Sequence, residues 1–388
     1  MIKRFWKNRL AARRAPQPDS AAIVEAGPWR LIWLRFRRHK LAWVSMWVLL
    51  ALYVMAAFCE FLAPCKPGSR DPRYLWGAPQ GLHWVRPDGR FSLRPFVYGY
   101  RRANAGDPWS VAMEPDPART YDLHLFAGGE SYRMWGLLEW DRHLFGVRDA
   151  GGRPGYWHLF GTDRQGRDLF TRVLYGARIS LTIGLVGVAM TFVLGIVIGG
   201  LAGYAGGVVD LVIQRFIEVL QGIPGLPLWM GLSAALPATW SGLRVYFGIT
   251  IILSLIGWTG LARVVRGKFL ALRGEDFVVA AQLLGANRGR IVFRHMLPNF
   301  MSHVITSITL AIPGMILGET ALSFLGIGLR PPVVSWGVLL QQSQNTAAMV
   351  LMPWLLIPGL FVVLTVLAFN LMGDGLRDAA DPCHSGGR

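Results

Sequence analysis

Six apolar runs, at roughly 41–63, 179–204, 212–236, 245–262, 301–326 and 349–373, are each long enough to cross about 30 Å of hydrocarbon as a helix rising about 1.5 Å per residue. A chain with so many runs of that length cannot bury them all in one soluble core. Inside lipid every backbone polar group needs an internal partner, and an open segment supplies one only by coiling into a helix. With 53% hydrophobic and 16% charged residues, the sequence therefore predicts an all-α, six-helix polytopic membrane protein. Pro224, Pro227 and Pro237 interrupt the third run, and the link to the fourth around Ser241 is short. Both are tolerable where neighbouring helices satisfy the freed backbone groups.

The net charge of +17 raises the question of a nucleic-acid partner, and its placement answers it. Residues 1–40 carry eleven Lys and Arg against Asp19 and Glu25, beside the first apolar run. By the positive-inside rule the N-terminus is cytoplasmic. Counting crossings from there returns 263–300 to the cytoplasm, where Arg263, Arg266, Lys268, Arg273, Arg288, Arg290 and Arg294 agree, and leaves the C-terminus cytoplasmic too. Arg164, Arg167, Arg172 and Arg178 fall outside, in a loop longer than the roughly 60 residues over which the rule operates. The charge faces lipid headgroups, so no nucleic acid is expected. The first run lacks a small-residue cleavage site and is expected to remain as an anchor.

The organisation expected is a basic cytoplasmic segment (1–40), a first transmembrane helix (41–63), an extracytoplasmic insert with an interfacial segment (64–178), a five-helix core (179–373) and a cytoplasmic tail (374–388). In the insert, 121–126 and 131–135 read as two strands around a turn at Gly128-Gly129, giving a small β-rich cap. Such a cap is either a platform for a soluble partner or a stabilising insertion. Trp84, Trp109, Trp135, Trp140 and Trp157 are expected mostly in its core. Cys59, Cys65 and Cys383 make neither a metal-ligand spacing nor a disulfide framework, and read as unlinked thiols.

Between the fourth and fifth runs lies the polar, basic stretch VAAQLLGANRGRIVFRHMLP, 279–298. The segment 276–284 reads as a short helix starting at Asp276. Gly285 is the residue type that ends a helix with positive φ, and Asn287, before Arg288, caps a second helix running to Pro298. This helix-turn-helix resembles the EAA loop of ABC importer permeases: Glu-Ala-Ala, three residues, Gly, nine residues, Ile, one residue, Leu-Pro. Ala280, Ala281, Gly285, Leu297 and Pro298 match at that spacing, while Val279 stands for Glu and His295 for Ile. The resemblance implies a loop that couples to ATPase subunits, with the charged part of that contact weakened at Val279.

Three further segments resemble the oligopeptide and dipeptide branch of those permeases: GTDRQGRDLFTRVLYGARISL at 161–181, LSFLGIGL with PPVVSWG at 322–337, and GDGLRDAADP at 373–382. The resemblance implies the type I importer permease fold in a bacterial inner membrane, paired with a second, homologous permease. It also implies two ATPase subunits that hold ATP and magnesium, so that this chain carries no cofactor, and an extracytoplasmic solute-binding protein that delivers peptide. Permeases for nickel or other small solutes share these motifs.

Gly195, Gly199 and Gly203 recur every four residues and give one smooth helix face for close packing. Arg215 and Glu218 stand three apart, as an ion pair on one helix would, near Asp210. Glu319, inside the fifth run, is costly in lipid unless partnered, and reads either as a packing residue hydrogen-bonded to another helix or as a lining residue of the solute route. Gly267-Lys268 is followed by Phe269 and lacks the upstream Gly of a phosphate loop. No His-Glu-x-x-His, Gly-x-Ser-x-Gly or His/Cys cluster is present, so neither a catalytic nor a metal site is expected. A secondary transporter would show an internal repeat with paired acids, which Glu319 lacks.

Overall fold

The computed structural model describes residues 28–86, 89–102, 113–149 and 151–380. The basic residues before Pro28, Trp109 and Cys383 lie outside them. In chain order the helices before the insert are α1 (Pro28–Arg38), α2 (Lys40–Ala57) and a short α3 (Cys59–Leu62). Four strands follow: β1 (His83–Val85), β2 (Phe91–Arg102), β3 (Met113–Met134) and β4 (Leu138–Arg148). Then come α4 (Leu169–Ala205), α5 (Gly207–Gly222), α6 (Gly225–Ala234), α7 (Gly242–Leu272), α8 (Asp276–Leu283) and a long helical stretch, α9 (Arg288–Phe324). Last are α10 (Trp336–Gln341), α11 (Thr346–Leu351) and α12 (Ile357–Ala380).

Among the described residues five helices are long and apolar enough to span a membrane: α2, α4, α7, α9, and α12 with the turn before it. The third expected run, 212–236, is instead two shorter helices, α5 and α6. Ile223 between them is extended, with φ −88° and ψ 126°. Pro224 explains this, since its ring crowds the residue before it out of the helical region. The spans also outrun their apolar segments. α4 begins at Leu169 rather than near 179, because the Asp168 carboxylate caps it by accepting from the Thr171 N–H at 2.7 Å. Hydropathy marks where a helix meets hydrocarbon, whereas caps mark where the helix ends.

α4 runs through the middle of the bundle against α7, α9 and α2. Leu181, Ile183, Ile249, Leu253, Ile316 and Trp336 form the centre of the main apolar core. On α2, Leu41, Val44, Trp47, Leu50 and Val54 are all exposed. They recur every three or four residues and so make one helix face. A stripe of this kind, left uncovered by the described residues, suits the lipid-facing side of a span.

The insert is a four-stranded antiparallel sheet in the order β1-β2-β3-β4. The turn expected at Gly128-Gly129 is not there: both glycines lie inside β3, where the pairing with β4 slips between Gly128 and Tyr132. At Gly129 a Cβ would sit 2.6 Å from the His143 ring, so the glycine makes room for a cross-strand imidazole rather than a reversal. The chain reverses instead at Trp135 and Gly136, both with positive φ. Trp157 is buried as expected, but Trp84, Trp135 and Trp140 are about half exposed. Cys59 and Cys65 are free thiols. Burial pushes the Cys65 thiol well above the usual range, which keeps it protonated.

Candidate coupling loop and buried carboxylate

α8 ends in a closed turn. The Ala286 N–H bonds to the Ala281 carbonyl at 3.0 Å and the Gly285 N–H to the Gln282 carbonyl at 2.9 Å, with Gly285 at φ +79°. This paired arrangement satisfies two terminal carbonyls and requires a left-handed residue, for which glycine has no steric cost. Asn287 then caps the next helix, its Oδ1 accepting from the Arg290 N–H at 2.8 Å. That helix does not stop at Pro298. It passes through wide turns at Ile291–Met296 and tight turns at Leu297–Phe300 into Met301–Phe324. Proline cannot donate to the carbonyl four residues back and collides with it in a regular α-helix; the widened turn ahead of Pro298 absorbs both problems without a break.

A small core fixes this knob to the bundle. Val278 and Ala281 from α8 pack with Ile291, Met296 and Leu297 from the start of α9, against Val265 and Phe269 of α7. Asp276 lies in the first turn of α8, where a carboxylate favours the helix dipole. Val279 and Ala280 face outward, as do Asn287, Arg288 and Pro298, while His295 is half-buried. Phe277, Leu283, Leu284 and Phe293 are exposed as well, Leu283 at 84% and Leu284 at 87%. An apolar patch of this kind on a polar, basic loop marks a contact surface.

Glu319 is fully buried. Its Oε1 accepts from Ser323 Oγ at 2.8 Å and Ser335 Oγ at 2.7 Å, and its Oε2 accepts from Ser180 Oγ at 3.1 Å. Each serine in turn accepts from a backbone N–H: Ser180 from Trp336, Ser323 from Leu329 and Ser335 from Val338. The carboxyl group thus joins α4, α9 and the start of α10. The sequence pointed to the acid but to none of its partners. Ser180, Ser323 and Ser335 do stand in two of the segments singled out by resemblance, which was the available signal.

The three glycines lie along the contact of α4 with α7. A Cβ at Gly195 would meet the Leu261 side chain at 2.8 Å, one at Gly199 the Ala262 carbonyl oxygen at 2.4 Å, and one at Gly203 the Arg266 carbonyl oxygen at 2.7 Å. Arg215 and Glu218 pair at 2.7 Å on an exposed face of α5. Asp210, which sequence spacing left unassigned, takes both Nε and Nη2 of Arg266 and so ties the start of α5 to α7. Arg178 similarly binds Glu60 and the Ala56 and Ala57 carbonyls at 3.0 and 2.9 Å, closing the end of α2. Asp163, ahead of α4, takes both Arg167 and the buried Arg172 in the first turn of α4.

The chain is similar in sequence to known transport proteins. The family described as binding-protein-dependent transport system inner membrane component matches residues 195–383, and the N-terminal TM domain of oligopeptide transport permease C matches residues 27–79. Neither covers 80–194, which includes the sheet. The dipeptide transport system permease protein DppC of Bacillus subtilis (strain 168) is 42% identical over 59% of this chain and 70% of its own length. The oligopeptide transport system permease protein OppC of Haemophilus influenzae is 43% identical over 58% and 70%. OppC of Bacillus subtilis is 38% identical over 63% and 77%. A chain of the MetNI methionine ABC transporter in an inward facing conformation superposes with a TM-score of 0.42 at 18% identity, over 54% of this chain and 97% of that one. With five helices long and apolar enough to span a membrane among the described residues, a fixed polar knob between the third and fourth of them, and relatives matched over most of their length, this chain belongs to the family of inner membrane components of binding-protein-dependent transport systems.

Proposed function

We propose that the chain is one of two permease subunits of an ATP-driven importer of oligopeptides or dipeptides in a bacterial inner membrane. In this reading α5 and α6, broken at Pro224, together supply a sixth crossing, and both chain ends lie in the cytoplasm. The sheet then stands on the outer side, where a solute-binding protein delivers peptide, and the knob at 276–298 meets an ATPase subunit. ATP and magnesium belong to the two ATPase subunits. This chain contributes no catalytic group, only the path and the lever.

The observation that carries the reading is the knob itself: an apolar exterior at Leu283 and Leu284 on a base fixed to α7 and α9 through Val278, Ala281, Ile291 and Met296. A lever must be gripped at one end and joined rigidly to what it moves at the other. Closure of the ATPases would pull the knob, and with it α7 and α9, toward the partner permease, switching the path between two access states. Glu319, with its carboxyl oxygens taken up by three serines, fits the packing role better than a lining one in this scheme.

Gly285→Val tests it. A β-branched residue is strained at φ +79°, so the turn must rearrange while the spans stay intact. In proteoliposomes containing the whole complex, the variant is expected to insert and assemble, to hydrolyse ATP, and to lose peptide uptake; normal uptake would contradict the coupling role. Mild-detergent purification of the tagged chain should recover a second permease and two ATPases. Recovery alone, with uptake indifferent to ATP depletion, would overturn the importer reading.

A further inference from the structure

The β3–β4 hairpin carries apolar side chains that the other described residues leave uncovered: Leu137 is 81% exposed, Leu138 61%, Trp135 51% and Trp140 48%. Its tip is a three-residue loop, 135–137, in which Trp135 and Gly136 take φ +52° and +75°, and the Leu137 N–H returns to the Met134 carbonyl at 3.0 Å. A left-handed φ ordinarily falls to Asn, Asp or Gly, because a larger side chain is strained there. A tryptophan breaks the local rule. Such exceptions persist where the side chain has a task elsewhere.

The task is visible in its contacts. Trp135 Nε1 donates to the carbonyl of Ala57 at 2.8 Å, and its ring lies 5.5 Å from that of Phe58. Trp140 stacks on Phe61 with centroids 6.0 Å apart. Ala57 is the last residue of α2, whose 18 residues extend about 27 Å, close to the thickness of the hydrocarbon layer. The tip is therefore held at the level where the first span leaves the acyl chains, next to its lipid-facing stripe, which continues from Val54 to the exposed Phe58.

The hairpin is also two-faced in the sense a membrane surface demands. Tyr132 pairs with Trp140 and Met134 with Leu138 on one face, and Arg133 pairs with Glu139 on the other. The latter two form a 2.6 Å ion pair with both side chains about 70% exposed. One face is apolar and aromatic, the other charged and wet. Tryptophan is the side chain most at home at the headgroup boundary, where an apolar ring and a polar N–H are both accommodated.

The geometry points to the β3–β4 tip as an interfacial anchor, with Trp135, Leu137, Leu138 and Trp140 seated in the headgroup–acyl boundary of the leaflet where α2 ends. The occupant of this surface is lipid, argued from its continuity with the lipid-facing stripe of α2 and from its depth at Ala57. The sheet then lies against the membrane and cannot swing freely about the Pro64 link, so whatever docks on it meets a fixed platform. The inference rests on α2 crossing a bilayer and is independent of the solute.

The test is a depth measurement in the whole complex, reconstituted in nanodiscs of phosphatidylethanolamine and phosphatidylglycerol. Leu137→Cys and, on the same sheet, Leu93→Cys, which is 92% exposed, are each labelled with an NBD fluorophore in a Cys383→Ser background; Cys59 and Cys65 are buried. The label at Leu137 is expected to shift its emission to the blue and to lose intensity with lipids carrying a nitroxide near the headgroup, while the label at Leu93 responds only to aqueous iodide. Leu138→Cys repeats the measurement should Leu137→Cys fail to assemble. Quenching at the tip by iodide and not by lipid would place it in water, and quenching by neither would mean that a protein partner covers it; each overturns the proposal.

Discussion

The 276–298 knob and the Glu319 node both set polar groups among apolar helices, yet they are built in opposite ways. In the knob every structural bond is local: the Gly285 turn closes over six residues and Asn287 caps three residues ahead. At Glu319 the decisive bonds are long-range, with Ser180 lying 139 residues away and its oxygen bonded in turn to Trp336. A locally closed element moves as a unit and exposes its apolar exterior. A node closed across three elements instead makes them move together. The knob and the helix block thus obtain their stiffness from different sources.

Removing the node's centre should produce the largest effect and test that contrast directly. Glu319→Ala leaves three buried hydroxyls without their acceptor and opens a void, at a cost of about 3–5 kcal/mol, read as loss of membrane-inserted, folded protein in a thermal unfolding series. Glu319→Gln keeps an acceptor and should lose less than half as much. If the two variants behave alike and only transport suffers, the carboxylate acts in the path and the contrast fails.

A smaller effect is expected where α4 meets α7. Gly199→Ala places a Cβ 2.4 Å from a backbone oxygen, which side-chain adjustment cannot relieve, so the helices must separate at about 1–3 kcal/mol. The same substitution at Gly260 of α7, where a Cβ has open space and φ is not positive, should cost much less. Melting of the purified chain in detergent compares the two. At Gly285 the local logic predicts a discriminating pair: Asn tolerates the left-handed region and should retain most uptake, whereas Val should not. Equal uptake by both would show that the turn is dispensable. Smallest is Asn287→Ala, a lost cap of about 1 kcal/mol, detected as faster amide exchange around Arg290 with the spans unchanged.

How much was legible follows the same division. Gly285 and Asn287 were readable because the residue that a turn or cap needs is dictated by backbone geometry within a few positions. The Gly195, Gly199 and Gly203 stripe was readable as a face, but its partner was not, since Leu261, Ala262 and Arg266 lie on another helix whose register no local pattern fixes. The Gly128-Gly129 turn was misread because paired glycines serve equally to reverse a chain or to admit a neighbouring ring, and only the position of His143 distinguishes the two. Pro224 was noted as an interruption, yet hydropathy alone carried the third run across it. The Asp210–Arg266 and Arg178–Glu60 pairs, 56 and 118 residues apart, left no trace in spacing.

What the sequence determined by itself is the solvent this protein folds in and the closed form of the knob. Each depends on composition or on neighbours within a turn or two. What only the tertiary structure decided is which faces meet: that Glu319 is enclosed by serines from three elements, that α4 and α7 touch along glycine, and that a strained tryptophan reaches the end of the first span. These depend on close approach between distant segments, where a few tenths of an ångström separate contact from collision, and no one-dimensional pattern carries that distance.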